Sequence, residues 1–343
     1  MKSPTPQEDR KPASLGAMLR SSLRSSAVQT LLAFGALIVM LVVFSIASPN
    51  FLAFDNIVGI LLATTVNGVL ALGVTFVIIA GGIDLSIGTV MTLSAVMTGV
   101  LVTNGHLPVP VGIVGGVMTG TAAGFANGAL IAKLKVPPFI ATLGMLWVAK
   151  GLALVIAGLK PIYFSDTPSF NETAMDSVLG KVVPGLEIPN LVLVLFGAAV
   201  LASFALKKTI LGRYTFALGS NEEATRLSGV NVNAWKIAVY AVSGLFAGLA
   251  GVLISARLDS AQPSLGLGYE LEAIAAAVIG GASLSGGEGT IVGTVIGAFV
   301  ISILTNGLRI LSVPQEWQTV VIGVIIIVAV RLDIVRRQRQ QQA

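Results

Sequence analysis

The chain has 343 residues, 55% of them hydrophobic and 11% charged, with a mean hydropathy of +0.90 and a formal net charge of +5. Soluble domains carry about 25% charged residues, so a soluble globular protein is excluded. The lack of cysteine removes disulfides, thiolate metal sites and cysteine nucleophiles.

Apolar runs of about 20 residues recur along the whole length, the pattern of an all-α, polytopic transmembrane bundle. Ten spans are expected, near Val28–Ala47, Ile57–Ala80, Ile83–Val102, Val109–Ala132, Pro138–Leu159, Leu191–Leu206, Ala234–Ala256, Leu271–Leu284, Thr290–Leu311 and Trp317–Val330. Residues 1–27 read as a disordered cytoplasmic tail, 28–332 as the transmembrane domain and 333–343 as a basic cytoplasmic tail. The first apolar run and its 27-residue leader are both too long for a cleaved secretory signal, so the first span is expected to be retained. The third and eighth spans are interrupted by glycine and polar residues. The single histidine, His106, sits in the turn-like "TNGHLP" and reads as a loop residue.

The basic residues flank apolar runs, which sets orientation in a membrane and argues against nucleic acid; no surface of interleaved aromatic and basic residues is present. With both termini inside, the inner segments hold 16 of the 21 Lys and Arg. The outer segments hold Lys160, Lys181, Arg257 and Arg309, and Lys150 lies within a span. This bias predicts cytoplasmic termini in a bacterial inner membrane. The longest outer connection, "KPIYFSDTPSFNETAMDSVLGKVVPGLEIP", is the expected place for an external partner or a gate.

In the fourth span Gly112, Gly116, Gly120, Gly124 and Gly128 recur every four residues. Such a ridge lets a second backbone approach closely in lipid, where apolar side chains gain nothing from leaving water. Gly244 and Gly248 in the seventh span, and Gly289, Gly293 and Gly297 at the ninth, repeat the pattern.

Several polar residues fall at membrane depth. Asp84 in "GGIDLSIGT" reads either as a cap of the third span or as a gating group. Lys150 lies some twelve residues into the fifth span and reads either as a functional intramembrane charge or as a lysine snorkelling to the outer interface. Glu270 and Glu272 open the eighth span, where acids suit the helix dipole, and the alternative is that they are pathway or gating groups. Asn67, Asn127, Thr142 and Asn306 are candidates to line a pathway for a hydroxyl-rich solute, and each equally suits a bridge between helices. No acid, histidine or cysteine cluster for a metal and no catalytic group is apparent. "GGIDLSIG" and "GGASLSGG" look like a duplication, but the expected topology puts both hairpins on the cytoplasmic side, so shared turn chemistry is the simpler reading.

Between the sixth and seventh spans, residues 207–233 carry a short polar helix in "LGRYTFALGSNEEATRLSGVNVNAWK". Ser220 and Glu223 fit a capping box, Glu222 and Glu223 suit the positive helix end, and Gly229 suits a left-handed stop. About two turns are too short to be stable alone, which points to docking on another body, the alternative being a passive lid.

"NEEATRLSGVNV" resembles the cytoplasmic coupling loop of binding-protein-dependent ABC importer permeases: Glu223, Ala224 and Gly229 match its spacing, and Thr225 departs from its second alanine. "GGIDLSIG", "FIATLGM", "LGRYTFALGSNEEATRLSGVNV", "SAQPSLGLGYELEAIAAAVIGGASLSGG" and "GTVIGAF" together resemble the ribose-type sugar permease subfamily over about Ser48 to Asp333. The resemblance implies ten spans, a second permease subunit forming a homodimer, a separate cytoplasmic ABC ATPase and a periplasmic sugar-binding protein. Ser220, Asn221, Glu222, Glu223, Ala224, Arg226 and Gly229 would then form the ATPase-coupling helix. The expected cargo is ribose or a related sugar or polyol, and the chain itself is not an enzyme. No G-x-x-x-x-G-K-[ST] loop occurs, so no cofactor is expected here and ATP-Mg would bind the partner. The rival reading is an ion-coupled secondary transporter of a small polar solute, which calls for buried charge relays.

Overall fold

The computed structural model describes residues 15–167 and 169–342. In chain order the helices are α1 (Leu15–Ala47), α2 (Phe54–Ile79), α3 (Ile87–Gly99, continued by a π-helical turn at Val100–Asn104), α4 (Val109–Ala132), α5 (Pro138–Ile156), α6 (Ser169–Met175), α7 (Val178–Val182), α8 (Asn190–Lys208), α9 (Ile210–Ser220), α10 (Glu222–Leu227), α11 (Val232–Leu258), α12 (Tyr269–Ile279), α13 (Ile291–Ile310) and α14 (Gln315–Gln342). One small antiparallel pair joins β1 (Ile162–Tyr163) to β2 (Ser260–Ala261). Prolines set several starts: Pro108, Pro137 and Pro189 directly precede α4, α5 and α8, where a missing N–H costs nothing.

The bundle forms around α2, which is buried all round from Thr64 to Ile79. A helix apolar on every face belongs in the middle of such a bundle. Around it pack α3, α8, α11, α12 and α13, and α11 packs most extensively of all against α4. The glycines explain that contact. A Cβ at Gly120 would run into the Gly244 carbonyl and the Gly248 backbone, and one at Gly124 into the Tyr240 carbonyl and Gly244. The ridge changes partner along its length, because Gly112 and Gly116 lie against Thr98 and other α3 groups. Gly293 and Gly297 bring α13 equally close to α12 at Gly280 and Ala276. The outer faces of α1, α4, α5 and α8 show exposed Leu31, Met118, Trp147, Val155, Leu201 and Phe204, as suits lipid.

Eight of the described helices are long and apolar enough to cross a membrane. They correspond to the first seven expected spans and the ninth. The eighth differs. Expected at Leu271–Leu284, it is the 11-residue α12, about 16 Å long against a hydrocarbon core of about 30 Å. Pro263, Gly266 and Gly268 break the chain ahead of it, and both glycines are left-handed, with φ of 102° and 96°. The expected tenth span lies within α14, which is not among those eight. Of the expected disordered tail, residues 1–14 lie outside the described residues, and helix α1 begins at Leu15. The long connection holds β1, α6 and α7; the Lys181 ammonium hydrogen-bonded to Asp176 holds that exposed carboxyl below the usual carboxylate range.

Candidate functional site

Two sites stand at opposite ends of the bundle. At one end α10 sits on the tips of α9 and α11. Ser220, expected to cap α10, is instead the last residue of α9; the adjacent Asn221, extended at φ −162°, accepts the Ala224 N–H at 2.9 Å. Because Asn221 alone is non-helical between the two helices, only its side chain can reach the orphan amides. Glu223 makes no reciprocal bond to the cap among the described residues and points to solvent. Glu222 is the ion-paired acid, 2.9 Å from Arg226 and 2.7 Å from Lys236 of α11. The Thr225 hydroxyl is buried and donates to the Ala217 carbonyl of α9 at 3.0 Å. Gly229, at φ 81°, ends the helix with its N–H on the Arg226 carbonyl. Ala224 and Leu227 face outward, and Leu227 is 83% exposed.

This end continues into the bundle through glycines. Gly219 of α9 lies so close to the Ile79 carbonyl that a Cβ there would collide with it. The same carbonyl accepts the Gly287 N–H at 2.8 Å, and Gly286 lies against both Gly219 and Gly81. The two similar hairpins, residues 80–86 and 280–289, therefore meet at the tip of α9. Asp84 is buried beside them. One carboxylate oxygen accepts the Ser86 N–H and hydroxyl at 3.0 and 2.7 Å, and the other accepts the Ser243 hydroxyl of α11 at 2.8 Å. It closes the turn into α3 and ties that turn to α11. Asn127 donates to the Ser86 hydroxyl at 2.9 Å, and Thr142 bonds back to the Pro138 carbonyl at 2.9 Å.

At the opposite end a cavity of about 780 Å³ opens between α2, the end of α11, α12, α13 and α14. Asn67 and Glu272 line it, with the Asn67 amide donating to the Glu272 carboxylate. Glu270 is buried beside it, accepting the Gly268 N–H at 3.1 Å at the start of α12. Ser264 to Tyr269 form one continuous wall. Lys150 supports that wall from behind. It does not snorkel: it is 9% exposed, and its Nζ donates to the carbonyls of Pro263, Ser264 and Leu265 at 3.0, 2.6 and 2.9 Å. Asn306 lies off the wall, its amide on the Asn56 side chain at 2.9 Å, joining α13 to α2.

Asn67 and Glu272 thus share the cavity, whereas Asp84, Asn127 and Asn306 bridge segments elsewhere and Thr142 bonds back within α5. Arg257 and Arg309 also line the cavity, within electrostatic range of Tyr269. Sequence reasoning counted these two only as outer charges. Their signal was position, since each closes a span beside the segments that break.

A family model described as branched-chain amino acid transport system / permease component matches residues 56–330. The chain belongs to this permease family. It is 42% identical over 302 residues to the ribose import permease protein RbsC of Haemophilus influenzae, covering 88% of this chain and 91% of that protein. It is 42% identical over 307 residues to RbsC of Bacillus subtilis, covering 89% and 93%. The D-allose transport system permease protein AlsC of Escherichia coli is 38% identical over 301 residues, covering 88% and 90%. No solved structure gives a significant match. The permease is a multi-pass membrane transport subunit and not an enzyme.

Proposed function

We propose that this permease is the membrane subunit of an ATP-driven importer for ribose or a closely related monosaccharide. Identity of 42% to ribose import permeases of two organisms, over nearly nine-tenths of the chain, carries the reading. A binding protein would deliver the sugar at the outer face, and two copies of the permease would enclose the pathway. The end bearing α10 would face the cytoplasm with both termini, in keeping with the excess of Lys and Arg on that side. Ten crossings follow if the broken segment and α12 cross together and α14 forms the last. Backbone without helix is tolerated at membrane depth only where protein or a water-filled cavity surrounds it; here Lys150 holds the carbonyls of Pro263 to Leu265 and the cavity borders Ser264 to Gly268.

In this mechanism α10 is the coupling helix. The ATPase, with ATP-Mg bound, would receive the exposed face around Ala224 and Leu227 in a groove. The Glu222–Lys236 pair ties α10 to α11 and the Thr225 bond ties it to α9, while the Arg226–Glu222 pair lies within α10. Displacement of α10 would then reach the Gly219 contact and push on the hairpins that begin α3 and α13. A glycine-lined, close-packed junction transmits motion because it has no soft side chains to absorb it.

The test is reconstitution of the permease with its ATPase and the ribose-loaded binding protein in vesicles. ATP-dependent accumulation of ribose is expected. Uptake that needs no ATPase and follows an imposed ion gradient would overturn the proposal.

A further inference from the structure

We infer that Lys150 is a tethered cation that organises the broken segment ahead of α12 and so shapes the wall of the cavity. Three consecutive carbonyls, from Pro263, Ser264 and Leu265, converge on one ammonium at 3.0, 2.6 and 2.9 Å. Carbonyls that converge like this repel one another, and without a cation the arrangement has nothing to hold it. Where membrane helices unwind, a bound metal ion can fill such a position. Here the chain supplies its own, on a four-carbon stem rooted in α5.

The location makes the contact more than a packing detail. Pro263 has no N–H to continue a helix, and the left-handed Gly266 and Gly268 turn the chain before Tyr269 starts α12. The three carbonyls therefore lack helical partners, and a buried carbonyl needs a donor. Lys150 has three N–H donors and offers them all to this stretch. Its other side is apolar helix, and no acid pairs with it among the described residues. The segment it holds continues directly into the wall from Ser264 to Tyr269, and from there to Glu270, whose carboxylate accepts the Gly268 N–H. Lys150 is thus a positioning residue, acting on the cavity through the backbone. A tethered ammonium also cannot dissociate, so this wall keeps its shape whatever the sodium concentration.

The chain has no cysteine, so Leu267→Cys places a unique thiol on the cavity wall, where Leu267 is exposed. Its rate of reaction with a charged methanethiosulfonate reagent reports the wall's shape in the full-length protein in vesicles. Adding Lys150→Ala is expected to change that rate by about tenfold or more, as the segment samples open forms. Propylammonium supplies the atoms that Lys150→Ala removes and is expected to return the rate towards its starting value; sodium chloride at equal ionic strength is not. An unchanged rate in the Lys150→Ala protein would overturn the inference. So would a changed rate that propylammonium leaves untouched, since that would assign the effect to lost packing. Should Lys150→Ala protein fail to accumulate, Lys150→Gln decides in its place: a clear change from the starting rate supports the inference and the starting rate overturns it. Sugar uptake by the assembled transporter, measured in parallel, rests on the proposed function. Absence of uptake with Lys150 intact would count against that function alone and leave the labelling result standing.

Discussion

At the scale of single residues, the coupling end shows how adjacent positions divide the work. Asn221, not Ser220, caps α10, because the chain is extended only at Asn221. Asn221→Ala should therefore release the Ala224 amide and cost about 1 kcal/mol locally, whereas Ser220→Ala should leave it protected. Hydrogen exchange at Ala224 reads the difference. Glu222 and Glu223 separate similarly. Reversing Glu222 to Lys breaks both ion pairs and sets a third cation beside Arg226 and Lys236. Each exposed pair contributes no more than about 1 kcal/mol, so folding and membrane abundance should hold. Stimulation of the partner ATPase by loaded binding protein should fall further for Glu222→Lys than for Glu223→Lys, measured per assembled complex. Equal losses would show that the ion pairs do not orient the helix. Thr225 turns its hydroxyl inward onto Ala217, a bond that alanine could not make.

Among the elements, the α4–α11 contact depends on the absence of side chains. Gly120 and Gly124 meet backbone, which cannot move aside as a flexible side chain can. Gly120→Val should force the helices apart and lose at least about 3 kcal/mol, counting both overpacking and forfeited contacts. Little protein should then appear in the membrane, and any that does should melt early in a detergent thermal-shift assay. Gly144→Ala in α5 is the control. Nothing lies within 4 Å of its missing Cβ, and alanine favours helix by about 1 kcal/mol, so stability should hold or rise.

For the whole molecule, the two sites are set apart along α2, where the buried stretch from Asn67, near the middle of the helix, to the Ile79 carbonyl at its end separates them. One continuous helix therefore links the cavity to the junction beneath α10. If α10 docks on the ATPase, Leu227→Cys should crosslink to a cysteine in the ATPase groove in the assembled complex, with a yield that changes between ATP-bound and nucleotide-free states. Crosslinking that ignores nucleotide would leave α10 a static anchor.

The sequence by itself determined the membrane class, the first seven spans and the ninth, the glycine ridge and the short capped helix. Each of these is local: apolar runs, a four-residue period and a glycine stop need no knowledge of distant segments. The motifs quoted from "GGIDLSIG" to "GTVIGAF" also carried the family. What escaped it was decided between segments far apart in the chain. Asn67 and Glu272 are 205 residues apart, and Lys150 reaches carbonyls 113 to 115 residues away. No periodicity records such partners, so Lys150 read equally well as snorkelling or functional. Asp84, Asn127, Thr142 and Asn306 had the same ambiguity, because a polar side chain at membrane depth looks alike in sequence whether it bridges helices or faces a pathway. The choice rests on which neighbours satisfy its hydrogen bonds, and only the packed bundle supplies those neighbours.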